Sequence, residues 1–231
     1  MQKGQITLYI VVGVLVLVVG YFLMQKSAPA PTIAPQEAMF DDVRSYVQDC
    51  LDTAATDTVS NFALSGDLRN VELERLEGMT RAVFKSENDV PSMDLALRMI
   101  REEFLNQIEV CYMDLPFNYD IKASSLQANI TYGDGKLTFY TFSPMQISAA
   151  GRTRKVFGFA SQVQYQLDHY LESGKEAVKA ITMNPPYINI SALNRIGNRY
   201  TLGHQENGRY DVSVFNGSNT LSSYSFVVEV P

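Results

Sequence analysis

The sequence predicts an α+β protein: an N-terminal transmembrane helix followed by an extracytoplasmic domain of about three long helices and a mostly antiparallel sheet. Three observations predict it. Ile6 to Met24 is an uncharged, apolar run of 19 residues. Beyond Pro35, stretches of helical period and stretches of strict alternation follow in the order helix, helix, hairpin, helix, strands. The two cysteines, Cys50 and Cys111, each fall on the apolar stripe of a different helix.

These observations divide the chain into an anchor (1–26), a Pro/Ala-rich spacer (27–35) and an extracytoplasmic domain (36–231). The apolar run makes roughly 28 Å of helix, close to the ~30 Å hydrocarbon core of a bilayer. A cleaved secretory signal has a shorter apolar region, about 7–15 residues. Ser27-Ala28-Pro29-Ala30 does offer small residues for cleavage, but an uncleaved single-pass anchor fits the length better. Residues 6–24 would then face membrane lipid. Gly13 and Gly20 lie two helical turns apart, on one face, and form a candidate helix–helix contact. Lys3 precedes the run and only Lys26 closely follows it. The positive-inside rule therefore places the N-terminus in the cytoplasm and the C-terminal domain outside the cell membrane.

The spacer, ending in Pro-Thr-Ile-Ala-Pro35, cannot form a helix interior and reads as an extended rod. Gln36–Leu64 reads as the first helix, on the stripe Val43, Val47, Cys50, Leu51, Ala54 and Phe62, with Ser65-Gly66-Asp67 ending it. From Leu68 to Asn88 the pattern is mixed, with a strand over Arg81–Lys85 as one reading. Pro91-Ser92 opens the second helix, whose stripe is Met93, Leu97, Ile100, Phe104, Ile108 and Cys111. Two such helices packed on their stripes bring the sulfurs of Cys50 and Cys111 together.

Ser124–Tyr132 and Lys136–Ser143 alternate and flank Gly133-Asp134-Gly135, a hairpin signature. Ser143-Pro144 should kink this strand or end it at a sheet edge. Arg152, Arg154 and Lys155 read as a solvated turn before a third helix, Val156–Ile181, with the stripe Phe159, Val163, Leu167, Tyr170, Leu171 and Val178. Asn184-Pro185-Pro186 stops it. Tyr187–Ile190, Arg199–His204, Tyr210–Phe215 and Ser222–Val230 read as strands, with Asn207-Gly208 and Asn216-Gly217 as turns.

Two resemblances follow from these motifs. Lys3-Gly4-Gln5 running directly into an apolar helix resembles the class III signal peptides of archaeal type IV pilins, which implies processing at Gly4-Gln5 and an apolar helix that builds a filament core. The chain departs from that pattern at Tyr9, where pilins usually carry Glu. Together with Val47-Gln48-Asp49-Cys50-Leu51, Cys111 and Phe142-Ser143-Pro144-Met145, the same start resembles uncharacterised membrane-anchored proteins of small-genome archaea. That resemblance implies an anchored outer domain and brings no activity.

The composition narrows the function. Net charge is −6, which speaks against nucleic acid as a partner. His169 and His204 are the two histidines, too few and too far apart for a zinc site. No nucleophile elbow, metalloprotease, phosphate-loop or dinucleotide motif is present. No cofactor, metal or catalytic residue is therefore expected. Sequons stand at Asn129, Asn189 and Asn216, candidates for N-glycosylation outside the cell. The expectation is a non-catalytic, membrane-anchored cell-envelope protein with a disulfide between Cys50 and Cys111, partnered by lipid and by itself or another envelope protein. A pilin-like filament subunit is the alternative. A ligand-binding receptor or an enzyme with no recognisable motif is the second.

Overall fold

The computed structural model describes residues 35–66, 73–76, 79–113, 120–123, 126–149, 152–183, 199–204, 208–215 and 223–230. The run Ile6–Met24, the candidate sites Gly4, Gln5, Gly13, Gly20, Asn189 and Asn216, and the strand expected at Tyr187–Ile190 all lie outside them. Among the described residues no helix is long and apolar enough to cross a membrane. The chain divides into two compact units, Met1–Asp41 and Asp42–Pro231. Of the first, only the start of a helix is described.

That helix, α1 (Pro35–Ser65), begins on the proline that the sequence assigns to the end of the spacer. Proline is favoured in the first helical turn, where its missing N–H is not needed. Val43, Val47, Leu51, Ala54 and Phe62 are buried as the stripe requires, joined by Ala55, Val59 and Ala63. Gly66 closes the helix with φ +74°, and its N–H donates to the Phe62 carbonyl at 2.9 Å, a left-handed glycine cap. The helix α2 (Met93–Met113) starts where expected, and the Leu95 N–H donates to Ser92 Oγ.

The region of mixed pattern forms two short strands, β1 (Leu73–Leu76) and β2 (Met79–Phe84). β3 (Asp120–Ala123) precedes the hairpin and has no signal in the sequence. β4 (Gln127–Gly133) and β5 (Lys136–Ala149) form the expected hairpin. Its turn has positive φ at both central residues, Asp134 (52°) and Gly135 (69°), the type I′ geometry that matches strand twist. Two expectations are corrected here. β5 is not an edge strand and does not end at Pro144; of the two readings the kink is the one seen, as an irregularity between Phe142 and Met145. It pairs with β3 and β4 end to end on one side, and with β6 (Arg152–Gln164) on the other. β4 finishes opposite Phe142 and β3 finishes opposite Met145. Ser143-Pro144 falls in the gap, and the β5–β6 register shifts there. A proline with no N–H costs a central strand nothing where a bulge already interrupts the ladder.

The third helix is also shorter than its stripe suggests. Val156–Gln164 is strand, and α3 runs Leu167–Met183. Phe159 and Val163 are four apart, a spacing compatible with both a helical turn and two strand repeats. Burial decides: Phe159, Ser161, Val163 and Tyr165 are buried, while Ala160, Gln162, Gln164 and Gln166 are exposed. The basic cluster therefore belongs to a strand, with Arg154 and Lys155 exposed on β6, and not to a turn.

β7 (Arg199–His204), β8 (Arg209–Phe215) and β9 (Ser223–Glu229) complete a five-stranded sheet in the order β1-β2-β9-β8-β7. All pairings in it are antiparallel except β2 with β9. Thus α+β, with three described helices and mostly antiparallel sheets, is the observed class. One core joins both sheets to all three helices. Phe104 of α2 meets Phe139 of β5 at 4.7 Å between ring centroids, and Phe62 of α1 meets Tyr224 of β9 at 5.8 Å. A Cβ on Gly174 of α3 would lie 3.0 Å from the Tyr224 ring, so the absent side chain is what lets α3 close on β9.

Cys50 and Cys111 are disulfide-bonded, with Cα atoms 5.9 Å apart, tying α1 to α2 as the stripes predict. The bridge spans 61 residues. In the chain-entropy account a loop of that size contributes roughly 4 kcal/mol. The double variant Cys50→Ser/Cys111→Ser should therefore melt roughly 10 °C lower than the parent in a thermal scan. An unchanged melting temperature would mean that the staple is dispensable.

Candidate functional site

Strict alternation along β4, β5 and β6 gives their sheet two unlike faces. The rows Ile130–Phe139–Ser161 and Ala128–Thr141–Phe159 point into the core. The alternate rows, Gln127–Phe142–Gly158 and Asn129–Tyr140–Ala160, point to solvent. Each outward row sets an aromatic on the central strand, an amide on β4 and a tiny residue on β6. Phe142 is 52% exposed and Tyr140 is 48% exposed, high for rings in the middle of a sheet.

The tiny residues make room. Gln48 of α1 reaches β6, where its Nε2 donates to the Ala160 carbonyl oxygen at 2.9 Å, capping that sheet edge. Arg44 stands one turn earlier on the same helix face. A groove of about 710 Å³ results, with Gly158 and Ala160 as its floor, Tyr140 and Phe142 as its aromatic wall, Gln127 and Asn129 beyond, and Arg44 and Gln48 opposite. The volume lies within the range of small-molecule sites. Among the described residues Arg44 is the one charged side chain lining it, in a chain of net charge −6.

Gly158 is fixed by the backbone. A Cβ there would sit 2.7 Å from the Thr141 carbonyl oxygen. No such constraint is visible at Ala160.

The other residues singled out in the sequence do not gather into a reactive site. Among the described residues no group of three or more His, Cys, Asp or Glu side chains is placed to hold a metal. His169 is half-buried on α3, and its backbone N–H donates to Asp168 Oδ1 at 2.8 Å. The same carboxylate accepts from the Tyr132 hydroxyl of β4, tying α3 to the hairpin. Burial, and then the hydrogen bond and charge of Asp168, push Tyr132 up to about 12. Asn129 is exposed on the groove wall. Sequence reasoning missed Arg44, Gln48, Tyr140, Phe142, Gly158 and Ala160. Tyr140 and Phe142 were legible as aromatics on the polar phase of an alternating strand. Gly158 and Ala160 were hidden by the helical reading of Val156–Gln164.

Two outcomes are expected. Gly158→Ala should cost about 1–3 kcal/mol, the usual range for forcing atoms into a closed space, measured by denaturant unfolding. The Tyr132–Asp168 tie should depend on pH. A tyrosine whose folded pKa is raised contributes stability that is complete below its ordinary value of 10.0 and is lost as pH climbs through about 12. The melting-temperature gap between the parent and Tyr132→Phe should thus be constant below that window and shrink across it. A gap that widens with alkalinity would refute the assignment.

Comparison of the chain with protein-family models, curated proteins and solved structures finds no match.

Proposed function

We propose that this chain is a single-pass, membrane-anchored cell-envelope protein whose disulfide-stapled α+β domain stands outside the cytoplasm and acts by binding rather than by catalysis. The observation that carries the reading is the Cys50–Cys111 bridge in a domain that follows the apolar run Ile6–Met24. Structural disulfides persist in oxidising compartments and are rare in the cytosol. The weak positive-inside bias around the run agrees with that orientation. The binding role is supported by the groove on the β4–β5–β6 sheet, which has aromatic, amide and cationic walls and, among the described residues, no cluster of nucleophile, base and orienting group. Lipid is one partner, through residues 6–24. A second copy or another envelope component is the other.

Cell fractionation with mass spectrometry of the isolated protein tests the reading. The chain should remain in the membrane until detergent is added, retain Met1 or Gln2 at its N-terminus, and carry Cys50 and Cys111 oxidised before lysis. Protease added to intact cells should cleave it. A mature N-terminus at Gln5 in sheared filaments would establish the pilin-like alternative instead. Reduced cysteines in intact cells would overturn the outside location.

A further inference from the structure

We propose that the groove beside α1 binds an acidic saccharide. The assignment rests on the reading of this domain as a binding module and names its ligand class. Four features of the groove point the same way. Its floor is flat and almost free of side chains at Gly158, where the backbone excludes even a methyl group. Its wall is the pair Tyr140 and Phe142, two residues apart on one strand and each about half exposed. Rings presented this way offer a face on which the C–H side of a sugar ring can stack, with the hydroxyls left outward. The amides of Asn129 and Gln127 line the far side and supply paired donors and acceptors for hydroxyl groups. Arg44, with no carboxylate beside it among the described lining residues, supplies a forked cation for a sugar carboxylate.

Competing occupants fit less well. A peptide adding itself as a strand needs the free edge of β6, and Gln48 already takes the Ala160 carbonyl there. A nucleic acid strand needs several cations, and the described residues of the groove supply one. A lipid chain or drug-like molecule needs an enclosed apolar pocket, whereas this groove is open and rimmed by amides.

The test uses the full chain in lauryldimethylamine oxide micelles, a detergent without a sugar head. Galacturonate, mannuronate and hyaluronan tetrasaccharides are titrated by calorimetry, with maltotetraose and methyl-esterified galacturonate as uncharged controls. At least one acidic saccharide should bind with a Kd of about 1 mM or tighter, and the uncharged controls more weakly. Arg44→Gln should weaken the acidic ligand roughly tenfold and abolish its advantage over the ester, since a charge-assisted pair is lost. Tyr140→Ala should weaken charged and uncharged saccharides alike. Both positions are exposed. If Tyr140→Ala lowers the melting temperature, Tyr140→Leu keeps the bulk without the ring and carries the same expectation. The proposal is overturned if none of the three acidic saccharides binds, or if binding ignores both substitutions. It is also overturned if native Asn129 carries a glycan that fills the groove, or if Phe142→Ala disperses a dimer that excludes saccharide. None of these outcomes bears on membrane fractionation or cysteine oxidation, so failure here and failure of the anchored-domain reading are distinguishable.

Discussion

The fold depends on burying β9 on both faces. Every residue from Ser223 to Val228 is buried, so the strand must have neighbours above, below and to either side. On one face Tyr224 and Phe226 meet Phe62 of α1 and Phe84 of β2, and α3 closes on the same rings at Gly174. The Tyr224 hydroxyl donates to the Gly66 carbonyl at 2.7 Å. That bond satisfies a polar group that the end of α1 would otherwise bury unpaired, at a cost of about 1–3 kcal/mol. It joins residues 158 apart in sequence. On the other face Ser213 and Ser225 hydroxyls pair at 2.8 Å, and Arg81 of β2 reaches over β9 to Asp211 of β8. A buried strand that carries serines must pair them internally, and the antiparallel register with β8 brings the two hydroxyls together.

The smaller sheet is anchored differently, and this difference creates the groove. Its inward rows are held by α2 through Phe104 and Phe139. Among the described residues no helix lies over its outward rows, and Gln48 of α1 touches the β6 edge. With β6 reduced to glycine and alanine on that face, the aromatic rings of β5 have nothing of their own size to pack against across the ladder. The space they border is a by-product of a backbone constraint at Gly158, where the carbonyl of Thr141 comes too close for any side chain. Packing and binding surface therefore share one cause.

The disulfide and the Tyr132–Asp168 bond tie pieces that the two sheets leave loosely connected. The bridge links α1, which serves the β9 core, to α2, which serves the smaller sheet. Tyr132 links the β4–β5 hairpin to α3. Both ties therefore cross from elements packed on one sheet to elements packed on the other, and add to the single core that the sheets share.

Periodicity alone determined much of this protein. The stripes of α1 and α2, the pairing of Cys50 with Cys111, the hairpin turn at Gly133-Asp134-Gly135 and the strands β7, β8 and β9 were all legible, because each rests on local spacing or local backbone preference. Tertiary structure decided the rest. Phe159 and Val163 satisfy a helix and a strand equally, and only the 14-residue β5 beside them made a strand of that segment. Pro144 reads as a kink or as the end of a strand at a sheet edge, and only the gap between β3 and β4 made it tolerable at the centre of a sheet. The groove was invisible for the same reason. Its residues come from α1, β4, β5 and β6, and no spacing in the sequence records that the small side chains of one strand lie opposite the large ones of another. That juxtaposition is a property of register, which long-range pairing sets and local sequence does not.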